Sequence, residues 1–137
     1  MINKILNNLG QKSRQRLDKE DRSLVYRDYI RTFDTGGSFI DIDFIKFRNG
    51  VPCAITDITR SDNDTMPTVA YFKAIENRWY IRDKQGEMIE TVASILKIPA
   101  YLIVFGYKLN WFNVWSCQRW EWRKFEPPQF QAWINSL

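Results

Sequence analysis

Histidine is absent from this 137-residue chain, and cysteine occurs only twice, at Cys53 and Cys117. Without histidine there is no Ser-His-Asp or Cys-His nucleophile pair and no histidine-rich zinc site. Two cysteines do not make a structural zinc site either, and they give no disulfide framework of the secreted type. Both are expected to be reduced, buried and inert. Any metal must then be held by oxygen, which suits Mg²⁺ or Mn²⁺. Long apolar runs are also missing: a bilayer-spanning helix needs about 20 apolar residues, and the longest good run here is Ala100–Phe105. A membrane partner is not expected. The opening Met1-Ile-Asn-Lys-Ile-Leu-Asn-Asn-Leu has neither the apolar stretch nor the cleavage site of a signal peptide, so the expected location is cytoplasmic. Repeats, low-complexity tracts and linkers are lacking too, and a single domain over residues 1–137 is expected.

The composition that remains is that of a globular protein, 45% hydrophobic and 26% charged. Aromatic residues reach 15% and include six tryptophans, most of them late in the chain. Trp111, Trp115, Trp120, Trp122 and Trp133 offer rings on which bases could stack. Core packing or a homodimer interface is the plainer reading, because Trp111, Asn113 and Trp115 share one strand face while Phe112 and Val114 share the other. Charge is uneven. Residues 1–31 hold eight Lys/Arg against four acids, the whole of the net +4, and the rest of the chain carries twelve of each. A basic N-terminal helical extension over 1–20 fits a phosphate backbone such as that of DNA, and a solvated helix face is the alternative.

Periodicity predicts a helix near 19–33, ended by Asp34-Thr-Gly-Gly, and a β-hairpin around Asn49-Gly50. A helix over 68–77 follows, with Val69, Phe72 and Ile75 on one side. A third helix is predicted near 82–96, with Met88, Ile89, Val92 and Ile95 inward. Strands are predicted over 100–107 and 111–117, with a short edge strand at 120–125. A last helix over 129–137 is opened by Pro127-Pro128. Such an order implies an α/β or α+β fold, a central mixed sheet flanked by helices.

The hairpin carries the chemistry. Asp41, Asp43 and Asp57 interrupt otherwise apolar strands, where carboxylates are scarce and costly to bury unpaired. Their faces depend on the turn. A two-residue turn at Asn49-Gly50 pairs Arg48 with Val51 and puts Asp57 opposite Ile42, on the other face from Asp41 and Asp43. A three-residue loop, Arg48-Asn49-Gly50 with Gly50 in a bulge, sets Asp41 across from Asp57 and Asp43 across from Ile55, with Thr59 on the same side. The bulged loop is the expected one, since it gathers three acids where a divalent cation can relieve their repulsion. The alternative is that these acids line a solvated sheet edge or pair with arginines.

This arrangement resembles the core of the PD-(D/E)XK, or restriction endonuclease-like, nucleases: an acid, a turn, then (D/E)-x-K on the next strand. Asp41-Ile-Asp-Phe44, Thr59-Arg-Ser-Asp62 and Arg82-Asp-Lys-Gln-Gly86 are also similar to segments of small bacterial proteins of that fold, over roughly residues 22–137. The resemblance implies a Mg²⁺- or Mn²⁺-dependent nuclease acting on DNA, with Asp43, Asp57 and Asp41 as metal ligands and Thr59 and Gln85 ordering water. One departure stands out: Asp57-Ile-Thr59 has threonine where the family has lysine, the residue that orients the attacking water and stabilises developing charge. A cation relocated from Lys84 or Arg82 would replace it, with Lys46 disfavoured by strand parity. Asp83 and Gln85 could instead cap the helix, with Gly86 allowing close packing. Without a relocated cation the chain would be a catalytically silent nuclease-fold module that binds nucleic acid or a protein partner. A small structural dimer with no nucleic-acid role is the third reading.

Overall fold

The computed structural model describes residues 22–137, so the basic segment 1–20 and the predicted helix start at Lys19 lie outside the described residues. Contacts divide the chain into Met1–Phe39 and Ile40–Leu137. In the first unit, α1 spans Arg22–Ile30. The Thr32 N–H bonds back to the Tyr29 carbonyl at 3.1 Å, and Asp34 Oδ1 accepts the Gly36 N–H at 2.9 Å. Asp34-Thr-Gly-Gly is thus a side-chain-braced turn just beyond the helix.

The second unit is of α+β class. Strands β1 (Phe44–Arg48), β2 (Val51–Arg60), β3 (Ala100–Phe105), β4 (Phe112–Ser116) and β5 (Glu121–Phe125) form one five-stranded sheet in that order. Only the β2–β3 pair is parallel, which makes the sheet mixed. Parallel neighbours require a crossover. Here it consists of α2 (Val69–Asn77), a π-helical turn (Arg78–Arg82) and α3 (Gln85–Leu96). After β5, Pro127 and Pro128 open α4 (Pro127–Ser136), and Glu126 and Gln129 form a capping box at its head.

Alternation along the strands gives each sheet face its own core. On one face Ile55, Leu102, Val104, Trp111 and Trp115 pack with Phe72, Ile75, Trp79, Ile89 and Ala93 of the crossover. On the other, Ile103, Phe112, Val114 and Phe125 pack against Phe130, Trp133 and Ile134 of α4. The face assignment expected for Trp111, Trp115, Phe112 and Val114 is therefore observed. Trp120, by contrast, is 61% exposed. Two helix-face expectations are corrected: Val69 is 80% and Ile95 75% exposed, and the inward stripe of α3 is Gly86, Ile89 and Ala93. Both cysteines are free, but only Cys117 is buried.

Two features set the register that matters. Asn49 (φ 52°) and Gly50 (φ 77°) make a two-residue turn that pairs Arg48 with Val51. The ladder then slips: Phe47 pairs with Pro52, yet Lys46 pairs with Ala54, leaving Cys53 as an extra residue in β2. Pro52 has no N–H for the ladder, and such a residue belongs at a bulge.

Candidate functional site

Asp57 lies in the middle of β2 on the face covered by the crossover, between the Phe44–Thr56 and Ile45–Ile55 rungs below and the parallel partner β3 beside it. The slip at Cys53 decides its neighbour. Beyond the bulge, each residue of β1 pairs so that the next position before Phe44 falls beside Asp57, and that position is Asp43. The expected three-residue loop does not form, and the predicted opposition of Asp41 to Asp57 and of Asp43 to Ile55 is overturned. Ile45, not Asp43, faces Ile55. A two-residue turn plus a bulge restores the parity that the loop was expected to provide. Asp41 and Asp43 also precede β1 rather than interrupting it.

Asp57 is 8% exposed. Its Oδ2 accepts the Trp79 indole N–H at 2.8 Å, and Asp43 Oδ2 accepts the Ile58 backbone N–H at 2.9 Å. Burial raises the Asp57 pKa from 3.8 to about 7, helped by a hydrogen bond to the Asp43 carboxyl and by its charge; the Trp79 indole and the Ile58 N–H oppose the rise. Two neighbouring carboxyl groups that cannot both ionise freely form an acid pair whose repulsion a proton or a cation would relieve.

The indole that fixes Asp57 comes from the π-helical turn, which the sequence reading missed. Gly86 makes room for that turn. A Cβ there would come within 2.7 Å of the Tyr80 ring and 2.9 Å of the Trp79 ring, so close packing is its role, against these two rings. The Tyr80 hydroxyl is held in turn, donating to Glu90 at 2.7 Å and accepting the Trp115 indole N–H at 2.8 Å. Burial pushes the neighbouring Cys117 thiol up to about 12, so it stays protonated and takes no nucleophilic role.

The remaining predicted residues fall into two groups. Thr59 follows Asp57 by two residues and shares its face. Gln85, the first residue of α3, donates from Nε2 to the Asp41 carbonyl and so ties the segment before β1 to the helix. Arg82 does not reach the acid pair: it donates to Asp83 at 2.8 Å in an exposed ion pair. Lys84 stands at the head of α3 in the left-handed region (φ 53°), exposed, and its side chain makes no hydrogen bond or ion pair among the described residues. Lys46 is excluded as parity implied, because its Nζ donates to the Ile134 and Leu137 carbonyls, at 2.6 and 3.1 Å, on the opposite sheet face. Arg60 is likewise engaged, donating to the Tyr107 carbonyl and lying 3.9 Å from the centre of the Tyr107 ring.

As a cation site the pair offers two carboxylates. Among the described residues no cluster of three or more acidic, cysteine or histidine ligands forms. Mg²⁺ is commonly bound by one or two carboxylates completed by waters and phosphate oxygens, so this donor set fits it. Among the described residues, no helix is long and apolar enough to cross a membrane. No family profile, no curated protein and no solved structure matches this chain.

Proposed function

We propose that the Asp43–Asp57 pair holds Mg²⁺ or Mn²⁺ and that this site hydrolyses phosphodiester bonds of DNA, as in a nuclease of restriction endonuclease-like type. The observation that carries the reading is the meeting of the buried Asp57 carboxyl with that of the exposed Asp43, with Asp57 titrating near 7. Such a pair is poised to exchange a proton for a cation close to neutral pH. The succession of hairpin, helical crossover and parallel strand supports the family reading, because it sets the second acid on an interior strand beside the crossover. A divalent cation at such a site supplies activation of water and stabilisation of charge on a scissile phosphate. The chain's own contributions are narrower. Asp43 and Asp57 bind, Trp79 aims Asp57, Thr59 presents a hydroxyl on the same face, and Gln85 keeps Oε1 available to a water. Lys84, free of competing partners among the described residues, is the candidate to steer the phosphate.

The test is plasmid nicking with Mg²⁺ or Mn²⁺ by wild type, Asp43→Ala and Asp57→Ala. Cation-dependent nicking lost in both variants is the expected result. Equal nicking by all three proteins would contradict it. A specific observation favours a second reading, a silent module that binds DNA or a protein: Thr59 replaces the lysine, and Arg82, Arg60 and Lys46 are all committed elsewhere. That reading predicts Mn²⁺ binding without nicking.

A further inference from the structure

The face of the sheet away from the acid pair carries a basic cleft at the β4–β5 hairpin. A cavity of about 120 Å³ is lined by Tyr101, Ser116, Arg119, Arg123 and Trp133, with Glu121 the one acid. A second, of about 440 Å³, shares Arg123, Phe125 and Trp133 with the first and adds Lys124 and Gln129. Arg123 therefore stands where the two meet.

Polar groups in the cleft are donors with little to accept them. Arg123 lies over the Phe125 ring, 4.8 Å from its centre, and among the described residues has no carboxylate partner. Arg119 meets Glu121 only at 3.8 Å, far longer than the roughly 2.7–2.9 Å of a strong charge-assisted hydrogen bond. The Ser116 hydroxyl oxygen accepts the Arg119 backbone N–H at 3.2 Å, which leaves its O–H free to donate. The Tyr101 hydroxyl makes no hydrogen bond among the described residues, and burial raises its pKa, so it too remains a donor. Trp133 and Phe125, 5.4 Å apart between ring centres, make the apolar wall.

We propose that this cleft is a binding site for a phosphate group, gripped by the Arg123 and Arg119 guanidinium groups with the Tyr101 and Ser116 hydroxyls as further donors. A tetrahedral oxyanion presents several acceptors to such a ring of donors, and the planar fork of arginine matches it two-point. The adjoining cavity beside Gln129 leaves room for what the phosphate is attached to. A free mononucleotide or a phosphate of a single DNA strand supplies the same chemistry. This inference does not depend on the acid pair, which lies across the sheet.

Calorimetry with the full chain at low salt tests it, using inorganic phosphate, thymidine monophosphate and an oligothymidylate of eight nucleotides as probes. Binding of at least one probe is expected, weakened tenfold or more by Arg123→Ala and largely kept by Asp57→Asn. Glu121→Gln removes the one competing carboxylate and should tighten binding severalfold, a gain that loss of folding cannot mimic. Binding of all three probes assigns a free phosphate compound, and binding of the oligonucleotide alone assigns a strand. No binding by any probe, or binding that both Arg123→Ala and Glu121→Gln leave unchanged, overturns the proposal.

Discussion

On the sheet face that carries Asp57, seven buried residues of the cluster pack beneath five from α2, the π-helical turn and α3, whereas on the other face four pack beneath α4 alone. Each face also holds polar groups, but under opposite conditions. The larger core dehydrates Asp57 and sets Asp43 against it, so the acid is pushed to about 7. The smaller core leaves Arg119 and Arg123 exposed to solvent beside an open cleft, and sends Lys46 to the C-terminal carbonyls of α4. The contrast separates a site built by burial, where packing creates the chemistry, from one built by convergence of solvated cations.

Breaking the acid face should have the largest effects. If Thr59 is what limits hydrolysis, Thr59→Lys restores the missing cation and raises the cation-dependent nicking rate by about 100-fold, the scale of one transition-state donor. Nicking assays on supercoiled plasmid read this directly, and an unchanged rate argues that the pair binds without cutting.

Stability offers the next effect. The Asp57 carboxyl loses its proton near 3.8 when unfolded and near 7 when folded. Between those values the fold holds the extra proton, so stability falls as pH rises through this window and the penalty is complete above about 7. Asp57→Asn keeps an acceptor for Trp79 and removes the charge. Urea melts should show it more stable than wild type at pH 8, by up to about 4 kcal/mol. The gap should close below pH 4.

Gly86→Ala tests the packing that positions the indole. Its Cβ would press on the Tyr80 and Trp79 rings, at a cost of about 1–3 kcal/mol in thermal or urea melts. On the opposite face, Lys46→Met should cost about 1 kcal/mol through lost contacts to the helix end. It should leave nicking unaltered, whereas Gly86→Ala should lower it by disturbing Trp79.

Much of this was legible in the residues, and the gaps have physical reasons. Asn49-Gly50 announced the turn because both residues accept positive φ, as they do here. The register was not read correctly, since the slip comes two residues later. Pro52 was the available signal, a strand residue with no N–H to give. Which acids meet followed from that slip alone, and so Asp43 took the place expected of Asp41. The succession of strands and helices along the chain came through because apolar spacing of two and of about 3.6 residues is readable over such lengths. The π-helical turn was not, because Arg78–Arg82 bears no mark of a wider helix. With it went Trp79, the residue that fixes Asp57. Ile95 was misplaced since its apolarity fits a stripe one residue off from the Gly86, Ile89 and Ala93 line chosen by the fold.

The most direct test of the acid pair is Mn²⁺ calorimetry at pH 6.5 in two buffers of different ionisation heat, with wild type and Asp57→Asn. Wild type should bind one ion and release close to one proton as it does so, while Asp57→Asn should bind none. Binding that survives in Asp57→Asn, or that releases no proton from wild type, would contradict a pair that trades its proton for a cation.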